Sequence, residues 1–73
     1  MANVRVEIKK HIAVLSEKEN GWKKELNIVS WNDAPGKLDI REWSEDYARM
    51  SRGITLTDEE AENLRESLNE IYM

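Results

Sequence analysis

Residues 22–43 read WKKELNIVSWNDAPGKLDIREW, two runs of alternating polarity on either side of a turn. In the first run Leu26, Ile28 and Ser30 fall on one side, and Lys23, Glu25, Asn27, Val29 and Trp31 on the other. In the second, Leu38 and Ile40 oppose Lys37, Asp39, Arg41 and Trp43. A period of two is that of a strand with one face buried. Between the runs, NDAPG (residues 32–36) carries Pro and Gly in the order of a loop joining antiparallel strands. A five-residue loop that sets Trp31 opposite Lys37 predicts the pairs Val29 with Asp39, Asn27 with Arg41, Glu25 with Trp43 and Ile28 with Ile40.

Outward from this hairpin the pattern continues. Upstream, Val4, Val6, Ile8, Ile12 and Val14 alternate with charged residues, interrupted at Lys10, and SEKENG (16–21) is a polar turn. Downstream, a polar stretch leads to Gly53 and a short strand, Ile54 to Leu56. The period then changes. TDEE (57–60) is a capping box, with Leu56 and Ala61 placed as a hydrophobic staple. Ala61, Leu64, Leu68, Ile71 and Tyr72 recur at helical spacing, while Asp58, Glu59, Glu62, Glu66 and Glu70 occupy the other faces. The predicted fold is α+β: a four-stranded antiparallel sheet followed by a C-terminal helix, β-β-β-β-α, in a single domain spanning residues 1–73.

Size and composition restrict what such a domain can do. A chain of 73 residues buries only about 60% of the surface it exposes when unfolded, and dimerisation is one usual remedy. There is no cysteine and one histidine, so disulfides and Cys/His metal sites are not expected, and no cofactor is predicted. No segment approaches the about 20 apolar residues of a membrane span and no signal-peptide core appears at the N-terminus. The expected location is the cytoplasm, with nucleoid association in a bacterium. Net charge is −4, unevenly placed: residues 1–41 carry eight Lys/Arg against six Asp/Glu, and residues 42–73 carry three against nine. A mildly basic front half can present a positive face if the fold sorts the two halves apart.

If the helix covers Leu26, Ile28, Leu38 and Ile40, the opposite face holds Trp31 and Trp43 among Lys23, Asn27, Lys37 and Arg41. Cations that track phosphates, interleaved with flat rings on which bases stack, suit single-stranded nucleic acid. Trp22 shares parity with Leu26 and reads as a core residue or loop anchor. Asp39, Glu42, Glu45 and Asp46 have no nucleophile or cofactor loop beside them, and Gly21, Gly36 and Gly53 sit singly at turns, so no enzyme is expected.

WKKELNIVSWNDAPGKLDIREW followed by SRGITLTDEEAENLRESL (51–68) resembles the transcriptional positive cofactor 4 (PC4) family, especially its bacterial YdbC-like branch. The resemblance spans roughly Ile12 to Leu68. It implies a protomer that dimerises largely through its helix and adjoining strands, and that binds single-stranded or melted DNA along its sheets in transcription or DNA maintenance. Leu64, Leu68 and Ile71 then belong to the dimer interface. Trp31 stands where the family has a stacking aromatic, Arg41 where it has a phosphate-contacting arginine, and Trp43 within a residue of a second stacking aromatic. Lys37 and Arg52 fall near basic positions flanking the strand, and Lys23 and Lys24 compensate for Asn32 and Asp33 beside Trp31. RNA is the alternative strand, and transcription machinery a further partner class. The competing reading is a protein-interaction adaptor that uses exposed tryptophans and an acidic helix.

Overall fold

The two alternating runs pair as β2 (Lys23–Trp31) and β3 (Lys37–Trp43) in the computed structural model, which describes residues 4–72. Their register differs from the expected one by two residues: Lys37 lies opposite Val29, Asp39 opposite Asn27, Arg41 opposite Glu25 and Trp43 opposite Lys23. The turn explains the offset. Asn32 and Asp33 both adopt positive φ (53° and 64°), and the Ala34 N–H closes onto the Trp31 carbonyl at 3.0 Å. Asn and Asp tolerate this left-handed region better than most residues. Ser30 and Trp31 consequently pair only with the strand before them, opposite Glu7 and Val6. Because the slip is two and the side-chain period is two, every residue keeps its expected face.

That preceding strand, β1 (Val6–Glu17), runs antiparallel to β2, and β4 (Ile54–Leu56) pairs with β3, giving one sheet in the order β1-β2-β3-β4. The uniform alternation expected from Val4 to Val14 does not hold. Register shifts fall between Ile8 and Lys10, His11 and Ala13, and Val14 and Ser16, leaving Lys9, Ile12 and Leu15 without a partner on β2. Each such bulge bends the strand and resets which side chains share a face. His11 and Val14 therefore share the face of Asn27 and Glu25, whereas Lys10 and Ala13 share that of Ile28 and Leu26. The strand also continues through Ser16 and Glu17, which the sequence pattern assigns to the turn.

Two apolar rows cross β2, β3 and β4 on the helix side: Ile28, Leu38 and Leu56, then Leu26, Ile40 and Ile54. Gly53 admits β4 to this arrangement, since a Cβ there would lie 2.3 Å from the Arg41 Cβ and 2.4 Å from the Ile40 carbonyl oxygen. The helix α1 (Asp58–Tyr72) starts at the predicted capping box: the Thr57 N–H donates to Glu60 Oε1 at 2.8 Å and the Glu60 N–H to Thr57 Oγ1 at 3.2 Å. The helix packs against β3 and β4. Its cover is incomplete. An apolar cleft of about 270 Å³, lined by Leu15, Leu26, Leu38, Ala61, Leu64 and Leu68, remains between helix and sheet.

Among the described residues, the buried set is Glu25, Asn27, Val29, Ser30, Asp39 and Trp43, of which only Val29 and Trp43 are apolar. The apolar rows under the helix are half-buried at best, with Ile54 59% exposed, and on the helix itself Leu68 is 44% and Ile71 69% exposed. A protomer whose deepest side chains are polar, and whose apolar face is half open, lacks the single apolar core usual in domains of this class.

Candidate nucleic-acid interface

The face away from the helix is built in transverse rows fixed by the strand register. Val6 pairs with Trp31, and Ile8 with Val29 and Lys37. His11, Asn27, Asp39 and Thr55 form a polar row across all four strands. Val14, Glu25 and Arg41 follow, then Glu17, Lys23 and Trp43. No helix covers this side, yet Glu25, Asn27, Val29 and Asp39 are at most 1% exposed. Side chains bond over them: His11 of β1 to Asn27, Tyr47 of the 44–50 loop to Glu25, and Arg41 and Thr55 to Asp39.

Asp39 and Arg41 are locked together. The guanidinium donates from Nε to Asp39 Oδ1 at 2.6 Å and from Nη2 to Oδ2 at 2.8 Å, a fork-on-fork pair. Thr55 Oγ1 also donates to Asp39 Oδ2 at 2.7 Å, and Arg41 Nη1 reaches the Ser51 carbonyl at 3.3 Å. The Arg41 side chain is 10% exposed. Its guanidinium carbon lies 4.5 Å from the centroid of the Trp31 ring, a cation–π contact that fixes the indole.

The second polar group is centred on Glu25. Its Oε1 accepts from Asn27 Nδ2 at 3.1 Å, and its Oε2 accepts from the Tyr47 hydroxyl at 2.5 Å. With Nδ2 so committed, Asn27 Oδ1 faces His11 Nδ1 at 2.8 Å, and the imidazole must donate there. Tyr47 has positive φ (61°), which costs about 1–2 kcal/mol for a residue with a Cβ. Its ring lies 5.9 Å from that of Trp43, tilted by 43°. The loop carrying it is organised by Asp46, whose Oδ1 accepts from the Ala48 N–H at 3.0 Å and the Ser44 hydroxyl at 2.8 Å. Those two bonds hold the Asp46 carboxyl below its usual range.

The bond to Glu25, with burial and the nearby carboxylate charge, raises the Tyr47 phenol above its ordinary value of 10.0. The unfolded chain then loses that proton first, so the folded form binds more protons above pH 10 and stability falls as pH rises. Below pH 10 the contribution is fully present. Urea unfolding followed from pH 8 to 11 is expected to show this alkaline loss in the parent chain and a smaller one in Tyr47→Phe. Equal slopes would mean that the hydroxyl is not held by Glu25 in solution.

Several sequence-based expectations need correction. Asn27 is fully buried and committed to Glu25 and His11, so it offers nothing to a ligand. Trp43 lies on the expected face but is 5% exposed beneath Tyr47 and is not an open platform. Arg41 is paired with Asp39 and only 10% exposed, where an open cation is expected. Lys24 lies on the helix side opposite Glu42 and Ser16; Arg52 shares with it a cleft lined by Ile40, Glu42 and Ile54. Trp31, Lys23 and Lys37 do share one face. Trp22 is half-buried and lines a shallow polar cleft with Asn20, Ser44, Asp46 and Arg49. The indole N–H groups of Trp31 and Trp43 are buried without an acceptor among the described residues. Tyr47, Glu25 and His11 complete the face; the sequence pattern placed Glu25 on it but gave none of the three a role. The parity of Glu25 with Trp31 was the available signal for one of the three.

The family model described as Transcriptional Coactivator p15 (PC4) matches residues 18–67, from the turn before β2 to near the end of α1. The chain belongs to the PC4 family. A protein of Treponema pallidum (strain Nichols), described as uncharacterized, is 45% identical to this PC4-family chain over 67 residues, covering 92% of the chain and 79% of the relative. The PC4 match includes the whole β2–β3 hairpin, β4 and the 44–50 loop, and leaves β1 outside it. Every side chain of the Asp39–Arg41–Trp31 cluster therefore lies within the PC4 region, whereas His11 does not.

Proposed function

We propose that the protein is a homodimeric, non-catalytic single-stranded DNA-binding protein acting in transcription or DNA maintenance, with little sequence preference. The carrying observation is the face on which Arg41 pins the Trp31 ring while Lys23 and Lys37 stand on the flanking rows. A fixed indole is a stacking platform for any base, and mobile lysines follow a backbone without fixing register. Membership of the PC4 family supports the same reading. Arg41 serves here as the brace of the platform, and Lys23 and Lys37 as the phosphate contacts. The half-covered apolar rows, with Leu64, Leu68 and Ile71 along the helix, support a dimer that buries them.

Fluorescence anisotropy with single-stranded DNA, duplex DNA and RNA at two salt concentrations tests this. Single-stranded DNA is expected to bind best and to weaken steeply with salt. Trp31→Ala should cost about 1–3 kcal/mol per stacked base with an unchanged salt slope. Lys37→Ala should lower the slope by about one phosphate. Unquenched tryptophan fluorescence on adding oligo-dT at low salt would sink the proposal and favour a protein-interaction role.

A further inference from the structure

We propose that Tyr47 is a second base-stacking residue, set at the opposite end of β2 from Trp31. The inference rests on reading this face as a nucleic-acid platform and adds a contact that no motif in the chain marks. Tyr47 lies in the loop after β3, is 45% exposed, and yet is anchored at its far end to a buried carboxylate. An exposed ring normally swings freely. This one is fixed at its hydroxyl by Glu25, backed by the Trp43 indole, and set by a left-handed backbone that disfavours a bulky side chain. A fixed, amphipathic ring gives contact area with little entropy left to lose on binding.

Position supports the same role. Tyr47 is tied to Glu25, six residues before Trp31 on β2, which is at most about 20 Å of strand. Lys23, two residues further along, pairs with the Trp43 on which Tyr47 rests. The face therefore repeats one unit, an aromatic ring held by a charged side chain with a lysine nearby, and the two holders are cross-strand partners, Arg41 on β3 opposite Glu25 on β2. Trp31 has Arg41 and Lys37; Tyr47 has Glu25 and Lys23. Two rings held from one row would offer stacking surfaces to more than one base of the same strand. Trp43, which the sequence suggests as the second platform, becomes the backing for the ring that performs that role.

Tyr47→Leu and Tyr47→Phe distinguish stacking from mere cover. Leucine still covers Trp43 but has no π-face; phenylalanine keeps the ring and loses only the hydroxyl. Affinity for labelled oligo-dT is expected to fall about 5-fold or more in Tyr47→Leu, the lower end of the stacking range, with no change in salt slope. Tyr47→Phe should retain most of the affinity, and both should fold, as checked by circular dichroism. Tyr47→Leu binding as tightly as the parent, while Trp31→Ala is weakened, would overturn the Tyr47 role and leave the proposed function standing. Tyr47→Phe falling as far as Tyr47→Leu would also overturn it, because the hydroxyl and not the ring would then matter. No binding by the parent chain would overturn both.

Discussion

Asp39→Ala is expected to lower the free energy of unfolding by about 3–5 kcal/mol, the usual result of removing one partner from a buried ion pair. Asp39 is fully buried and accepts two bonds from Arg41 and one from Thr55. Without it, Arg41 keeps the Trp31 ring, the Ser51 carbonyl and two long contacts, to Thr55 Oγ1 at 3.5 Å and Met50 Sδ at 3.8 Å, none of them charged, in a site where it is 10% exposed. Native domains are stable by only about 5–15 kcal/mol, and a chain of this size lies toward the low end. The variant should therefore unfold at a much lower urea concentration. Asp33→Ala is the internal control. Asp33 pairs with Arg5 at 2.7 Å, but both side chains are at least 66% exposed, so its loss should cost less than about 1 kcal/mol. Similar urea midpoints for the two variants would mean that Arg41 escapes to solvent when Asp39 is removed, and that the Trp31 brace is not fixed.

Leu68→Glu is expected to convert the proposed dimer to monomer. Leu68 lines the apolar cleft between helix and sheet and is still 44% exposed in the protomer. In a two-fold assembly every substitution occurs twice at one interface, and burying an unpaired carboxylate costs several kcal/mol at each. Gel filtration with light scattering should show the protomer mass at micromolar concentration. Circular dichroism should retain the helix and sheet signals, since Leu68 is not among the buried residues of the protomer. An unchanged elution volume with intact folding would remove α1 from the interface. Loss of the dimer should also make unfolding independent of protein concentration.

The sequence was most informative where one local rule sufficed. Alternation located β3 at Lys37–Trp43 and β4 at Ile54–Leu56, and the capping box located the start of α1. It was silent where the outcome depended on side chains distant in sequence. The three bulges of β1 leave no mark in composition, because Ile12 and Leu15 look like any other strand residues. Burial of Asp39 was hidden for a similar reason. An aspartate in an alternating strand reads as solvent-facing until its Arg and Thr partners from β3 and β4 are in place. The family resemblance carried over residue types but not their exposure: Trp31 lies on its expected face, while Trp43 is buried and Arg41 is paired with Asp39. Tyr47 was the least visible, since a lone tyrosine in a polar loop gives no sign that it will adopt the left-handed region and fold back over the sheet.

The bulges of β1 have a bearing on solubility as well as shape. At 12 residues β1 is the longest strand of the sheet and one of its two edges. A regular edge of that length is a template for pairing with another chain, the first step of sheet-to-sheet aggregation. Three interruptions in succession break its outward row of N–H and C=O groups into segments too short to hold a foreign strand in register. The same irregularity that resets the faces of β1 thus works against recruitment of further copies along this edge.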